Sequence, residues 1–339
     1  MDKKIYLTVD VECHDYNRRN QYIDGKHRDQ IAGLEKILML GKELSISINF
    51  FFDVVEGFRY GEEYVREVID LIKKYNQPVF LHLHPNYVSS DDSRMFLWEY
   101  GYEEKKEILR KGFEYFKQLT GEDSKFFRIG CYGADVEMYQ ALKELDLNVI
   151  DLSYCYNNNN MCHISEFEKK NVPFLYEKQL VFPNTRYRSF KLSRFVKHNN
   201  LDVSETTLDE WKTILRKNKL SQITCTMHSW NFIKKYFFSG RYVRLDNNEV
   251  RRFNKMIRFA KSNDYVFDSL DNFNYNVVED DQVIDMCQGF WGKVRMLFNN
   301  YFRFRKIGRL NKFYFFFFAI IETICIIACS LIAISIIMN

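Results

Sequence analysis

Short apolar runs recur along the first 280 residues of the chain. Most of them are flanked by polar residues, glycine or proline. Runs of this length that are rich in Ile, Val, Leu and Phe predict β-strands. The predicted strands are Ile5–Val9, Ile46–Phe52, Pro78–Leu83, Phe126–Ile129, Asn148–Leu152, Leu180–Phe182, Ile223–Met227 and Val266–Ser269.

Longer stretches between these runs carry apolar residues at three- and four-residue spacing, which predicts amphipathic helices. Four of them are Asp29–Leu44, Tyr64–Tyr75, Glu103–Leu119 and Met138–Leu145. Another helix is predicted near Leu208, because Thr207 and Glu210 have the spacing of a capping box. Three polar runs predict loops, namely Asn157–Asn160, Asn199–Asn200 and Asn247–Asn248.

Strands and helices that alternate in this way favour an α/β fold with parallel strands. A single barrel of roughly 250 residues fits the length of the chain as well as two small domains do. We therefore predict one barrel domain over residues 1–280, followed by two segments of different character, 287–312 and 313–338.

The segment 313–338 is almost wholly apolar and contains one formal charge, Glu322. It is longer than the roughly 20 helical residues that cross a bilayer, so it predicts a single transmembrane anchor. Seven basic residues precede it: Lys293, Arg295, Arg303, Arg305, Lys306, Arg309 and Lys312. By the positive-inside rule these charges place the barrel on the cytoplasmic side of the membrane.

Apolar residues also recur at helical spacing within 287–312, between the basic ones. They are Phe290, Trp291, Val294, Leu297, Phe298 and Tyr301. A basic amphipathic helix of this kind predicts a segment that lies on the bilayer surface, with its charges towards anionic lipids.

Composition narrows the class of protein further. A content of 46% hydrophobic and 28% charged residues excludes a wholly disordered chain, and a net charge of +4 gives no indication of nucleic-acid binding. The eight cysteines have no paired C-x-x-C spacing, so they predict neither a zinc ribbon nor a disulfide framework, and they favour a reducing compartment. The apolar run at Ile5 is too short for a signal-peptide core.

Four polar clusters stand where predicted strands end. They are Asp10-Val-Glu12, His82-Leu-His84, Arg128 with the glycines Gly130 and Gly133, and His228-Ser-Trp230. In a parallel barrel the C-terminal ends of the strands meet on one face, where active sites form. We therefore expect these clusters to share one site.

Residue types and spacing in the first two clusters predict a metal centre. Strand side chains alternate between faces, so Asp10 and Glu12 point the same way, as do His82 and His84. Two imidazoles and one carboxylate suit a first-row divalent metal that retains open positions. Read alone, the two histidines are equally compatible with polar residues that end a strand. Arg128 alone is compatible with a surface salt bridge, and His228 alone with a core histidine.

Taken in order, these motifs resemble the polysaccharide deacetylase (NodB-homology) family. Leu7–Glu12 is similar to its first motif and Ile46–Val54 to its second strand. Leu81–Pro85, Phe127–Gly133 and Met227–Trp230 are similar to its histidine, arginine and final histidine motifs. The resemblance covers about residues 3–275. The chain carries a variant pattern, because Val11 separates the two acids and the histidines stand two residues apart.

The resemblance implies an irregular barrel of about seven strands and a role for each motif residue. Glu12, His82 and His84 would bind one divalent metal, with zinc as the expected ion, and His14 or Asp15 are alternatives to Glu12. Asp10 would be the general base, and Arg128 would position it. His228 would donate a proton to the leaving amine, and Asp151 would orient His228. The backbone N–H near Tyr132 would bind the oxyanion.

The function implied is a metal-dependent hydrolase that removes N-acetyl or O-acetyl groups from a carbohydrate. With the predicted topology, the substrate would be a surface-glycan precursor at the cytoplasmic face of the membrane. The expected partners are thus a carbohydrate and the membrane, and no nucleic acid. Two alternatives are an inactive membrane-tethered barrel that binds a glycan or a partner protein, and a different metal-dependent amide hydrolase on the same fold.

Overall fold

The fold is built around a nine-stranded β-sheet. The computed structural model describes residues 3–156, 158–164, 171–192, 195–235, 243–273, 275 and 280–287, and residues 292, 294, 296 and 299. In chain order the strands are β1 (Lys3–Val11), β2 (Lys26–His27), β3 (Gln30–Ile31), β4 (Asn49–Asp53), β5 (Val79–Leu83), β6 (Phe126–Ile129), β7 (Ile150–Asp151), β8 (Phe174–Tyr176), β9 (Gln179–Val181), β10 (Arg186–Leu192), β11 (Phe195–Asn200), β12 (Gln222–His228), β13 (Ile233–Lys235), β14 (Val243–Leu245), β15 (Tyr265–Phe267) and β16 (Ile284–Asp285).

Eight α-helices accompany these strands within the described residues. They are α1 (Leu34–Leu44), α2 (Gly57–Tyr60), α3 (Glu62–Lys74), α4 (Pro85–Ser89), α5 (Tyr102–Thr120), α6 (Val136–Glu144), α7 (Leu208–Lys217) and α8 (Asn247–Lys261). Strand and helix alternate through most of the chain, which makes the fold α/β, as predicted.

Seven parallel strands follow one another in the sheet in the order β12-β1-β4-β5-β6-β7-β9. Strand β8 is antiparallel at the edge beside β9, and β15 pairs with the start of β1. The two ends of the series are joined through Thr185, just after β9, and Thr224 of β12. Each backbone N–H of this pair donates to the other residue's Oγ1, at 2.8 and 2.9 Å. The sheet therefore curls into an irregular barrel.

Alternation along each strand gives the barrel two kinds of face. Leu7, Val9 and Val11 of β1 belong to the large core between the sheet and the surrounding helices. The opposite face of β1 carries Tyr6, which packs inside the barrel with aromatic and aliphatic side chains of the other strands: Phe51, Phe80, Phe126, Leu152 and Phe182. Asp10 and Glu12 continue the face of Tyr6. The interior is thus apolar at one end and polar at the C-terminal end of the strands.

Two of the three loop predictions are wrong, because the polar residues concerned belong to a helix and to a strand. Asn247 and Asn248 begin α8, where the Asp246 carboxylate accepts from the backbone N–H groups of Asn248 and Glu249. Polar residues at a helix start satisfy its free N–H groups, so a polar run of this kind also fits a cap. Asn199 and Asn200 end β11 rather than forming a loop. The capping box at Thr207 and Glu210 is confirmed at the start of α7.

Most of the segment 287–312 and all of 313–338 lie outside the described residues, so the surface helix and the anchor stay predictions. Among the described residues, no helix has both the length and the apolar character needed to cross a bilayer. Described positions of 287–312 contact the barrel domain, among them Cys287, which packs with Phe190. Met296 packs against Phe190, and Asn299 Nδ2 donates to the Asp209 carboxylate at 3.1 Å.

Candidate functional site

The polar C-terminal ends of the barrel strands open into one cleft of about 430 Å³. Register places the motif residues side by side, because Asp10 of β1 is level with His228 of β12, and His82 of β5 is level with Arg128 of β6. Seven of the eight predicted site residues line this cleft, namely Asp10, Glu12, His82, His84, Arg128, Tyr132 and His228. The strand ends therefore converge as the sequence predicted.

Glu12, His82 and His84 form a compact group whose ligand atoms lie within 4.8 Å of one another. All three side chains are buried. Glu12 Oε2 is 2.6 Å from His84 Nε2 and 3.5 Å from His82 Nε2. His82 Nδ1 donates to the carbonyl oxygen of Arg128 at 2.9 Å, and this bond directs Nε2 at Glu12. Histidines that ligate metals typically donate their other ring N–H to a backbone carbonyl in this way.

Unsatisfied buried atoms support a metal at this position. Glu12 Oε2 and His84 Nε2 are both buried, and neither forms a hydrogen bond of regular geometry. Burial alone would raise the pKa of Glu12, but the adjacent imidazoles, His84 foremost, hold it well below its ordinary value. Burial lowers the pKa of His84. A metal ion requires an ionised carboxylate and an unprotonated imidazole nitrogen, and the pKa directions of Glu12 and His84 favour both, so these residues fit a metal.

Asp10 and Arg128 form a buried ion pair beside the metal group. Arg128 is fully buried, and its Nη1 donates to Asp10 Oδ1 at 2.5 Å. Its other donors bond to Thr8 Oγ1, Asn184 Oδ1 and the carbonyl of Leu152. These bonds fix the guanidinium, so Arg128 holds one oxygen of Asp10 in place. The contact that the predicted role of Arg128 requires is present, and the role itself stays a prediction.

His228 stands at the rim of the metal group. Its Nε2 lies 3.6 Å from Glu12 Oε1, and its side chain is 34% exposed, so it can reach both the group and a ligand from solvent. The ring of Trp230 stacks on it, with centroids 4.6 Å apart. His14 Nε2 lies 3.5 Å from the same Glu12 oxygen. Asp15 instead accepts from the backbone N–H of Asn17 and lies outside the group of Glu12, His82 and His84, so the choice of Glu12 as the ligand stays a prediction.

The turn after β6 brings backbone into the cleft. Cys131 and Tyr132 have φ of 53° and 54°, a left-handed conformation that is uncommon outside glycine and often found at functional sites. Gly130 lies against His84, where a Cβ atom would come within 2.5 Å of the imidazole ring. A glycine is therefore required for His84 to reach Glu12. The oxyanion role of the Tyr132 backbone stays a prediction.

Asp151 is the predicted site residue that the structure places elsewhere. Its carboxylate accepts from Tyr139 Oη at 2.7 Å and from Ser153 N at 3.0 Å. Tyr139 belongs to α6, so this carboxylate ties the helix to β7 on the outer side of the sheet. Strand alternation explains the error, because the neighbouring Leu152 faces the interior and Asp151 must then face outward. Its contacts give no support for orientation of His228.

Two buried carboxyl groups behind the metal group were not predicted. Asp53 ends β4 and accepts from the backbone N–H of His84 at 3.3 Å. Glu56 accepts from the backbone N–H of Cys13 and from Tyr64 Oη, the latter at 2.8 Å. They thus anchor the backbone beside two proposed ligands. Asp53 carries the same sequence signal as the four clusters, an acid at the end of a predicted strand.

Burial raises the pKa of Glu56 from 4.5 to about 8, which gives a prediction for stability against pH. The protonated form is favoured in the folded state, so this contribution is present below about pH 4.5 and is lost as pH rises towards 8. Between pH 5 and pH 8, the Tm of metal-free Glu56→Gln should therefore fall less than the Tm of the metal-free wild type. Each kcal/mol of unfolding free energy that the wild type loses through Glu56 corresponds to a Tm difference of roughly 2–4 °C. Calorimetric melts at both pH values measure this, and identical losses in the two proteins would contradict it.

No protein-family model and no curated protein sequence matches the chain. Several solved structures are similar to it. One is a candidate polysaccharide deacetylase from Mycobacterium smegmatis, at 13% identity and a TM-score of 0.48, with 84% of this chain and 96% of that chain covered.

A second similar structure is the family 4 carbohydrate esterase domain of a multidomain xylanase from the hindgut metagenome of Trinervitermes trinervoides, at 12% identity and TM-score 0.41, covering 84% and 98% of the two chains. A third is a mutant of a pseudoenzyme of the same esterase family, at 13% identity and a TM-score of 0.40, with 78% of this chain and 64% of that chain covered. These names are those of the family that the sequence motifs resemble. Because all three TM-scores lie below 0.5, we base the function on the residues of the cleft.

Proposed function

We propose that the chain is a metal-dependent carbohydrate deacetylase of the polysaccharide deacetylase (NodB-homology) type. Its reaction would be the hydrolysis of an N-acetyl or O-acetyl group on a sugar. The observation that carries the proposal is the buried group of Glu12, His82 and His84 next to an Asp10 that Arg128 holds in place. A metal-binding face adjoining a fixed carboxylate provides both parts that amide hydrolysis needs, an activated water and a base.

Each side chain has a role that follows from its contacts. A divalent ion, with zinc as the default for two histidines and one carboxylate, would supply a more acidic water and a polarised acetyl carbonyl. Asp10 accepts the proton of the attacking water through the oxygen that Arg128 leaves open. Arg128 keeps the Asp10 carboxylate correctly directed. The backbone N–H near Tyr132 would donate to the oxygen that becomes negative during attack.

His228 is proposed as the acid that protonates the leaving amine. Its Nε2 faces the metal group at 3.6 Å from Glu12, while a third of its side chain is exposed towards the cleft. An amine leaves an amide only when it is protonated, whereas a nitrophenolate leaves an ester without help. His228 therefore matters to the amide reaction in particular.

His228→Ala is expected to lower the rate on an N-acetyl sugar by about 100-fold or more. The rate on 4-nitrophenyl acetate should fall by less than about tenfold, because that leaving group requires no proton. Steady-state kinetics on both substrates measure the ratio. Equal losses on amide and ester would assign His228 a structural role instead, through its stacking on Trp230.

The function is tested with the full-length protein in detergent, stripped of metal and then reloaded with zinc. Acetate release is measured across N-acetylated and O-acetylated sugars. Release that appears with zinc and disappears with chelator supports the proposal. Sugar binding without acetate release would favour the alternative of a membrane-tethered binding barrel. Release from a non-carbohydrate amide alone would favour a different amide hydrolase.

We further propose a membrane location with the barrel in the cytoplasm and a glycan precursor as substrate. This rests on the apolar segment 313–338 and the seven basic residues between Lys293 and Lys312. A reporter fused at Asn339 should be detected on the far side of the membrane, and protease added outside intact cells should leave the barrel uncut. Digestion of the barrel from outside would reverse the orientation and make assembled surface polysaccharide the substrate.

A further inference from the structure

The cleft contains a second buried arginine that the proposed reaction does not use. Arg186 begins β10 and lines the cleft together with the metal group. It is 5% exposed, and it is one of two buried arginines among the described residues, with Arg128 as the other. Arg128 has the carboxylate of Asp10 as its counter-charge. Arg186 has no carboxylate partner within the part of the chain that the structure describes.

The backbone of Arg186 is firmly held. Its N–H donates to Asn171 Oδ1 at 2.9 Å, and its carbonyl accepts from Asn171 Nδ2 and Tyr156 Oη, both at 3.0 Å. The guanidinium uses Nη2 to donate to the His198 carbonyl at 2.8 Å and lies 5.7 Å from the ring centroid of Tyr156. Its Nε and Nη1 have no acceptor among the described residues. The arginine is therefore positioned but incompletely satisfied.

A buried cation without a counter-charge is costly, so a protein that retains one usually supplies its partner at some stage of function. Besides Asp10 and Glu12, two acids line the cleft, Asp202 and Glu205. Asp202 accepts from Ser204 and from Thr226 Oγ1, and neither Asp202 nor Glu205 forms an ion pair with Arg186 in the described structure. The open side of the guanidinium therefore points to a ligand as the source of negative charge.

Neighbouring residues of the same hairpin support a ligand at this position. Asn200 is paired with Arg186 across β10 and β11, it lines the cleft, and its buried Oδ1 has no donor. Lys197 of β11 also lines the cleft and adds a second cation. An acceptor for a hydroxyl beside two cations matches a sugar that also bears an anionic group.

We propose that the substrate is an N- or O-acetylated sugar that also carries an oxyanion, a carboxylate or a phosphate, and that Arg186 binds this group. The inference rests on the proposed deacetylase function and adds the chemical class of the sugar. A cleft of about 430 Å³ is within the usual range for small-molecule sites, so one sugar with its charged substituent can occupy it. Arg186 thereby selects the substrate while the metal group acts on its acetyl group.

The test compares matched substrates with the zinc-loaded full-length protein. N-acetylglucosamine is the neutral reference, and the charged arms are N-acetylglucosamine 6-phosphate, N-acetylglucosamine 1-phosphate and an N-acetylated hexosaminuronic acid. We expect at least a tenfold higher kcat/KM for one charged arm than for the neutral sugar. The preferred arm identifies the source of the charge as a phosphate or a carboxylate. Equal kcat/KM on all four substrates would overturn the inference and leave the deacetylase function intact.

Variants assign the preference to Arg186. Arg186→Met should reduce the ratio of charged to neutral kcat/KM to near one, and Arg186→Lys should retain part of it. Arg188→Met is the matched control, because Arg188 lies on the same strand, pairs with Asp285 at 2.6 Å and does not line the cleft. Its ratio should equal that of wild type. A preference that persists in Arg186→Met overturns the assignment.

A binding measurement separates this inference from the proposed reaction. Calorimetry with N-acetylglucosamine 6-phosphate and with the uronic acid is performed on wild type, Arg186→Lys and Arg186→Met. Binding of a charged sugar that weakens at least tenfold in Arg186→Met supports the anion site even when no acetate is released, in which case only the deacetylase function fails. Binding that is equal in all three proteins overturns the anion site. Melting temperatures confirm that the variants are folded.

Discussion

Replacing Asp10 with asparagine is expected to lower kcat at least about 100-fold on any acetylated sugar that the wild-type protein hydrolyses. An amide oxygen cannot take up the proton of the attacking water at neutral pH, so the base is lost. Asparagine retains an oxygen that can accept from Arg128, so the geometry around the guanidinium is kept. Zinc content should equal that of wild type, because Asp10 is not one of the proposed ligands. Kinetics and elemental analysis on the same preparation measure both quantities.

Loss of the charge on Asp10 also leaves Arg128 fully buried without a counter-ion. The variant should therefore melt at a lower temperature than wild type while remaining folded at 25 °C. Asp246→Asn is a matched control, since it makes the same change at the start of α8, where asparagine also caps a helix. It should keep wild-type activity. Retention of more than about a tenth of kcat in Asp10→Asn would exclude Asp10 as the general base.

The parts of the site that the sequence predicted correctly depend on strand periodicity. Asp10 and Glu12 follow Tyr6 and Thr8 on the interior face of β1, and two-residue alternation leaves them no other orientation. The same rule places His82 of β5 and His84, which directly follows the strand, on one face. Parallel strands then bring both pairs to one rim, so a local pattern in each strand was sufficient to predict a contact across the barrel.

Asp151 shows where the sequence alone does not assign a face. The observed strand β7 is two residues long, shorter than the predicted strand Asn148–Leu152, and no regular apolar alternation in the sequence shows which of its residues face the interior. The acid was assigned to the site by resemblance alone. Packing decides the matter, because Leu152 fills the interior and Asp151 then bonds to α6.

Arg186 and Glu56 could not be predicted for a different reason. Glu56 follows β4 in a short helical turn, and its burial results from contacts with Cys13 and Tyr64. Arg186 enters the cleft through the β10–β11 hairpin, whose residues alternate charged, aromatic and polar types without a clear apolar face. Tertiary contacts, rather than any local pattern, bury both side chains.

The double variant His82→Ala/His84→Ala is expected to bind no stoichiometric zinc and to lose all measurable metal-dependent activity. Two of the three proposed ligands are removed, and a single buried carboxylate does not retain zinc against a chelator. Wild type should bind about one zinc per chain under the same conditions. Stoichiometry is measured by elemental analysis after dialysis, and acetate release is measured on the same samples.

Stability separates the loss of ligands from a loss of fold in this experiment. Wild type should gain Tm when zinc is added to the metal-free protein, because an ion that binds only the folded state stabilises it. The double variant should have a cooperative melt that zinc does not shift. His163→Ala is the matched control, since His163 is an exposed histidine that stacks on Trp98 and does not line the cleft, and it should behave as wild type. One zinc per chain and a wild-type Tm shift in the double variant would show that the ligands lie elsewhere.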